Sequence, residues 1–441
     1  MSVERRGSVR TSLACAQLIT DQEEAVTKTK PFTIDTWQVV RAYELVKANA
    51  GAAGIDQQSI ADFDKNRKNN LYKLWNRLSS GSYCPAPVKA VAIPKKSGGE
   101  RILGIPSVSD RIAQMVVKMA FEPKVEPHFL PDSYGYRPGK SALDAIGITR
   151  KRCWSYNWVL EFDIKGLFDN IPHELLLKAV DKHQPTAWIR LYIQRWLTAP
   201  MVMPDGEVRA RTQGTPQGGV ISPLLANLFM HYVFEKWLQQ HYPNIPWCRY
   251  ADDGLVHCRS ESEAKHMLEV LRERFIACGL ELHPEKTKIV YCKDGSRKGN
   301  YEHTSFDFLG YTFRRRVVKN RKRNSLFVSF TPAVSKVALK AMRRKIKVLK
   351  VRSRTELNIA QLGGWLNPII NGWIGYYGRY NRSALYSLFR HINKALIRWA
   401  RRKYKTLRRH KTRTLKFLEG IATKSPRLFA HWRAGMVGRF S

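Results

Sequence analysis

The stretch Tyr250-Ala251-Asp252-Asp253 decides the fold of this chain, because it sets two adjacent carboxylates between two short apolar runs, Ile245 to Tyr250 and Gly254 to His257. Two strands joined there form a β-hairpin that can hold a divalent metal. Asp253-Gly254 between strand-like runs is equally a common hairpin turn, where Asp and Gly are selected by the backbone alone. The tetrapeptide by itself leaves turn and metal site open.

A third carboxylate upstream tips the balance. Trp158-Val159-Leu160-Glu161-Phe162-Asp163 reads as a strand ending on Asp163, followed by Ile164 to Asp169 and a helix opening at Pro172. One Asp from one strand and two from a hairpin suit a two-metal site. Magnesium prefers oxygen ligands and binds through a few carboxylates plus substrate phosphates. Two such ions, roughly 3.5–4 Å apart, activate an attacking hydroxyl and stabilise a leaving phosphate oxygen.

Composition points to a polyanionic partner. The 441 residues include 76 Lys and Arg against 36 Asp and Glu, a net charge of +40. From Arg314 to Ser441 there are 34 basic residues and two acidic ones, Glu356 and Glu419, so this stretch alone carries +32. Such asymmetry suggests nucleic acid first and an anionic membrane surface second. At 44% hydrophobic residues the chain is a folded protein of two to four domains. No apolar run approaches the ~18 residues a membrane span needs. Leu13 to Ile19 is short and interrupted by Gln17, so no secretory leader is expected. Cys15, Cys84, Cys153, Cys248, Cys258, Cys278 and Cys292 form no pair spaced by two residues, which reads as reduced thiols in a cytoplasmic protein.

Along the chain, Trp37 to Val46 has helical apolar spacing, and Val88–Pro94 and Arg101–Ile105 read as a hairpin with a basic tip. Ser109 to Phe121 is a core helix. Tyr134 to Ser141 is a basic, glycine-bearing loop open to either a phosphate contact or a plain turn. Gln213 to Pro223 leads into a helix from Leu224 to about Gln240, with Ser222 suited to the N-cap and Pro223 to the first helical position. Its three glycines serve either a substrate approaching the backbone or a simple connection; Gln217 favours the substrate. Phe306 to Phe313 reads as one strand. Beyond it, helices are expected over Pro332–Lys350, Thr355–Tyr377 and Ser383–Lys405, their apolar stripes packed together and their basic faces available to RNA. In the last basic segment Trp399, Tyr404 and Trp432 are free either to stack on bases or to pack.

The order of these parts resembles the bacterial group II intron-encoded reverse transcriptase and maturase family, from about Phe32 to Trp432. The matching residues are Ile93-Pro94-Lys95, Gly104-Ile105-Pro106, Tyr136-Arg137-Pro138-Gly139, Phe162-Asp163-Ile164, Thr215-Pro216-Gln217-Gly218-Gly219, Tyr250-Ala251-Asp252-Asp253 and Phe308-Leu309-Gly310. Leu366 to Tyr377 looks like the maturase-specific region.

The resemblance implies an α+β fold: a right-hand polymerase with fingers and palm of reverse-transcriptase type, then an α-helical thumb/maturase domain and a basic C-terminal tail. It implies a flexible tail over residues 1–30, N-terminal extension and fingers over 31–150, palm over 151–313, thumb/maturase over 314–400 and a DNA-binding tail over 401–441. Asp163, Asp252 and Asp253, helped by the carbonyl of Ile164, would hold two magnesium ions. Lys95 and Arg101 would contact the triphosphate, Gln217 would line the nucleotide pocket, and Phe168 would exclude a ribose 2′-hydroxyl or else serve as core. Arg137, Lys140, Arg343, Arg344, Lys345, Arg401, Arg402, Lys403, Arg408 and Arg409 would meet nucleic acid. The implied partners are the intron RNA, held in its splicing-active fold, target DNA with its primer, and deoxynucleotides, with no membrane. After Arg401 the chain has no Cys and too little length for the endonuclease domain of many relatives, so priming from an existing DNA 3′ end is expected. A retron, diversity-generating or phage-defence reverse transcriptase would use the same palm, but Asn367 to Tyr377 argues against it. A catalytically dead splicing factor finds no support, since all three carboxylates are present.

Overall fold

The computed structural model describes residues 30–94, 99–320 and 324–436. The segment expected to be a loose N-terminal tail, apart from its last residue, and the triphosphate contact expected of Lys95 lie outside the described residues. Among the described residues, strands run at Val88–Pro94 (β1), Glu100–Ile105 (β2), Trp158–Asp163 (β3), Met201–Val202 (β4), Val208–Arg209 (β5), Trp247–Tyr250 (β6), Asp253–Cys258 (β7), Lys288–Tyr291 (β8), Ser305–Phe308 (β9), Tyr311–Asn320 (β10) and Ser325–Val334 (β11). Contacts group the chain into two compact units. One comprises residues up to 140, 164–244 and 270–283; the other comprises 141–163, 245–269 and 284 onward.

The first unit is built on the helix Val108–Val125, which buries most of its N-terminal two-thirds, the polar Asp110, Arg111 and Gln114 included. Its N-cap Ser107 accepts from the Asp110 amide at 3.0 Å, and the buried Asp110 in turn accepts from the Tyr83 hydroxyl at 2.5 Å. A sheet of order β2-β1-β4-β5 carries the antiparallel β1–β2 hairpin. The loop 213–219 lies against β2 at a close approach that only glycine permits. A Cβ on Gly218, at φ +144, would stand 2.4 Å from the Gly104 carbonyl oxygen. The helix after this loop starts one residue earlier than expected. Ser222 is its first residue and makes no side-chain cap; it accepts from the Thr215 hydroxyl at 2.8 Å, while the buried Gln114 side chain accepts from the Val220 amide at 2.7 Å. The Ser222 hydroxyl is thus engaged by the preceding loop and not by the helix's own amides. The same helix widens into a π turn over His231–Glu235 before resuming at Lys236–His241, so the expected single helix is interrupted.

The second unit contains an antiparallel sheet of order β6-β7-β3-β8 with the helix Ala142–Ser155, and a three-stranded sheet of order β11-β10-β9. Phe306 to Phe313 is a hairpin and not one strand: Leu309 at φ +50 and Gly310 at φ +78 form its two-residue turn. Thr331-Pro332 does not open a helix either. Pro332 sits in β11 opposite Phe313, on an edge strand that tolerates a missing N–H, and Ser335 caps the helix Lys336–Val348 by accepting from the Ala338 amide at 3.1 Å.

Helices Lys336–Val348, Ile359–Tyr377, Tyr386–Lys403 and Lys411–Lys424 close round one core that includes Leu366, Ile370, Leu388, Ile392, Leu396, Trp399 and Trp432. Residues 401–436, expected to form a basic tail, are folded into it. Trp399 and Trp432 are fully buried, their indole N–H groups donating to the Arg354 carbonyl at 2.8 Å and to Asn393 Oδ1 at 3.0 Å. They pack rather than stack on bases. Truncating either to Ala would cost about 3–5 kcal/mol, which ties the C-terminal segment firmly to the bundle. The fold is α+β with a helical domain, as expected.

Candidate active site

The acid cluster is assembled by strand register. β3 pairs antiparallel with β7, which sets Asp163 opposite Asp253, and β6 pairs with β7 so that Ala251 and Asp252 form the hairpin turn. Asp253-Gly254 is therefore strand, not turn. Gly254 stands opposite Phe162, and a Cβ there would lie 2.1 Å from that ring; the glycine exists to let Phe162 cross β7. Ala251 takes the left-handed conformation, φ +59, at a cost of about 1–2 kcal/mol. The fully buried Arg249 holds it there by donating from Nη1 to the Ala251 carbonyl at 2.9 Å.

Electrostatics at the cluster are unfavourable for the carboxylates alone. Burial, then the charges of Asp252 and Asp163 with a hydrogen bond to Asp163, push the Asp253 carboxyl up to about 8. Glu161, also on β3, rises to about 7 through burial, opposed by Lys288, which stands opposite it on β8 at 3.2 Å. Lys286 Nζ donates to Asp163 Oδ2 at 2.8 Å. Burial works against that ammonium, but the bond to Asp163 and the three aspartate charges outweigh it and raise its pKa.

As they stand, no three His, Cys, Asp or Glu side chains among the described residues converge on a common ion position. Asp163 is engaged by Lys286 and is hydrogen-bonded to Asp253. The donor set nevertheless fits magnesium, since it is all oxygen and carries uncompensated negative charge.

The residues expected to handle the nucleotide lie in the first unit. Ile164 is buried and bridges Leu282, and Lys165 pairs with Glu281 at 3.0 Å. Phe168 is buried in a short helical turn, and its carbonyl accepts from the Thr215 amide at 2.7 Å. Gly214, at φ +78, has room only for hydrogen, because a Cβ would meet the Asp169 and Phe168 carbonyl oxygens at 2.6 and 2.8 Å. Gln217 joins two charged groups: its Nε2 donates to Asp169 Oδ2 at 2.9 Å, and its Oε1 accepts from Arg101 Nε.

The expected nucleic-acid contacts divide into two kinds. Arg137 is an internal strut, donating to Glu126 at 2.7 Å and to the carbonyls of Leu130 and Ser133 at 2.7 and 2.8 Å; buried pairing leaves it nothing for a phosphate. Lys403 likewise donates to the carbonyls of Thr355 and Leu357, Arg401 to that of Arg408, and Arg343 to Ser387 Oγ at 2.9 Å. Lys140 is half-buried and donates to the Pro131 carbonyl at 3.0 Å, and Arg402 reaches Ser353 Oγ at 3.5 Å from an exposed position. Arg344, Lys345, Arg408 and Arg409 are exposed.

Sequence reasoning missed Lys286, Arg249, Glu161 and Asp169. Asp169 lies one residue after Phe168, which was its only local signal; Lys286 is 123 residues from its partner Asp163 and offered none.

Residues 93–313 match the family model for reverse transcriptase (RNA-dependent DNA polymerase), and residues 339–417 match the group II intron maturase-specific domain. Protein YkfC of Escherichia coli (strain K12) is 35% identical over 299 residues, 57% of this chain and 72% of that protein. Group II intron-encoded protein LtrA of Lactococcus lactis subsp. cremoris is 33% identical over 201 residues, 45% of this chain but only 33% of that protein. A telomerase structure from Candida albicans aligns with 85% of this chain and 68% of its own at TM-score 0.43 and 11% identity, too slight a likeness to argue from. Among the described residues no helix is long and apolar enough to cross a membrane. By its matched regions and relatives, this chain belongs to the reverse transcriptase family, as a group II intron-encoded reverse transcriptase and maturase.

Proposed function

We propose that Asp163, Asp252 and Asp253 hold two magnesium ions for RNA-templated DNA synthesis. The observation that carries this reading is the strand register that sets Asp163 opposite Asp253, with Asp252 beside it on the turn. When bound, the ions activate the primer 3′-hydroxyl and stabilise the leaving pyrophosphate. The protein's own part is positional. β3 and β7 fix two carboxylates across one ladder, and Arg249 keeps the turn that presents the third. Lys286 donates to Asp163 and offsets its charge. Ile164, its backbone pinned by the bridge to Leu282, contributes its carbonyl as a further oxygen donor.

Arg101 meets the triphosphate of the incoming deoxynucleotide, together with Lys95. Asp169 orients the Gln217 amide so that its oxygen steadies the Arg101 guanidinium, which leaves the other N–H groups of the fork for phosphate oxygens. Phe168, whose position is set by the Gly214–Thr215 backbone, stands beneath the sugar and disfavours a 2′-hydroxyl.

The helical, strongly basic second half binds the group II intron RNA and supports its splicing, and the ribonucleoprotein copies the intron into DNA at a target site during retrohoming. The match of residues 339–417 to the maturase-specific domain and the net +32 of the C-terminal stretch support this part.

Primer extension on an RNA template with magnesium tests the proposal directly. Wild type extends the primer, and Asp252→Ala loses synthesis by at least roughly 10²- to 10³-fold. An Asp252→Ala protein that polymerises at the wild-type rate overturns the metal assignment.

A further inference from the structure

β10 carries three consecutive arginines, Arg314, Arg315 and Arg316, that the polymerase reading leaves without a role. Together with Val317, Asn381, Ser383 and Ala384 they line an open groove of about 390 Å³ within the second unit. Among the described residues none of the three arginines has a carboxylate partner. That is unusual for Arg316, which is half-buried. Its Nε and Nη2 donate to the carbonyls of Thr331 at 3.3 Å and Thr312 at 3.2 Å, which orients the guanidinium without neutralising it. Burial and the neighbouring Arg314 charge push its pKa down to about 10. A half-desolvated cation held in place with no counter-charge is costly unless an anion is supplied from outside.

The groove also offers neutral donors. Asn381 uses Oδ1 to accept from Ser383 Oγ at 2.8 Å and from the Ala384 amide at 3.3 Å, so its amide nitrogen is the part left to donate. Arg314 and Arg316 fall on one face of the strand, about 6.6 Å apart along it. Two guanidiniums in a row with amide donors beside them suit successive groups on a repeating anion, rather than one small ion.

We propose that this groove binds the phosphodiester backbone of nucleic acid, with Arg314 and Arg316 on neighbouring phosphates and Asn381 as a neutral donor. The proposal rests on the reverse-transcriptase reading, and it names a contact that reading does not contain. The backbone belongs either to the RNA–DNA duplex being extended or to the structured intron RNA; the chemistry is the same.

The test uses the full chain carrying Arg314→Gln/Arg316→Gln and, separately, Arg316→Lys, which keeps the charge but loses the fork. Binding is titrated across a salt series in two arms, a recessed RNA–DNA hybrid and a folded RNA without primer. A charge-matched control, Lys178→Gln/Lys236→Gln, removes two exposed cations elsewhere. The double arginine variant is expected to bind about tenfold more weakly at low salt and to lower the slope of log K against log salt by about 1.5–2 in the arm that uses the groove. Arg316→Lys weakens the same arm with little change of slope. The arm that weakens identifies the source of the backbone. Unchanged slopes in both arms, or an equal change in the control, overturn the proposal. A wild-type protein that fails to extend a primer on an RNA template would instead defeat the polymerase reading and leave the groove result standing.

Discussion

Asp163 and Asp253 stand opposite each other across the β3–β7 ladder with a hydrogen bond between their carboxyl groups, and the Asp253 carboxyl is pushed up to about 8. Burial and the adjacent Asp252 make full ionisation unfavourable, and Lys286 relieves only Asp163. The cluster holds unfavourable energy that a divalent cation releases.

Magnesium should therefore stabilise the fold. Adding it to metal-free protein is expected to raise the melting temperature by roughly 2–4 °C, about 1 kcal/mol or more. Asp253→Asn should raise the metal-free melting temperature and abolish the magnesium response while destroying synthesis. Differential scanning calorimetry with and without chelator decides this; an Asp253→Asn protein that still responds fully to magnesium refutes it.

Asp169 acts through Gln217. Asp169→Ala frees the amide to rotate, and single-nucleotide kinetics should show KM for the deoxynucleotide rising about tenfold, with kcat changed by less than threefold. Gln217→Glu alone should be worse, because it sets a second carboxylate against Asp169. Adding Asp169→Asn to Gln217→Glu restores a donor for that carboxylate and should recover most of the loss. Failure of that rescue argues against the relay.

Gly214→Ala probes the wall behind Phe168. Its φ of +78 and a Cβ 2.6 Å from the Asp169 carbonyl leave no relaxed placement for a methyl group. A loss of about 2–4 kcal/mol is expected in denaturant unfolding. At temperatures where the variant stays folded, discrimination against ribonucleotides should weaken as Phe168 shifts.

Acid should destabilise the second unit through two buried histidines. Burial pushes His257 and His431 down to about 3, and His257 has no partner for either ring nitrogen among the described residues. Both are held neutral in the fold, while the unfolded chain binds protons below about 6.5. Their contribution is thus fully present above pH 6.5 and is lost as pH falls from there toward 3, with a slope approaching two protons. The integrated effect is up to about 5 kcal/mol per group, an upper bound. His257→Leu should remove about half of the slope in urea unfolding across pH; an unchanged slope excludes His257.

The sequence alone was enough to place Asp163 at a strand end, Asp252 and Asp253 at a hairpin, the β1–β2 hairpin, the core helix after Ser107 and the basic helical second half. These features are written in period and spacing, which neighbouring residues along the chain impose on each other. Where local chemistry met a tertiary competitor, the competitor won. Ser222 became the first helical residue, its hydroxyl taken by Thr215 and not by a backbone amide, and Pro332 extended an edge strand because Phe313 offered it a partner. Gly254 follows an Asp as a turn glycine would, yet serves the Phe162 ring. Arg137 and Trp432 had the composition of nucleic-acid contacts, and only burial against Glu126 and Asn393 made them structural. Lys286 and Asp169 carried no local signature, because what matters about them is a partner far along the chain. Local order is fixed by covalent neighbours; which charges meet, and which stay unpaired, is fixed only when distant segments pack and exclude water.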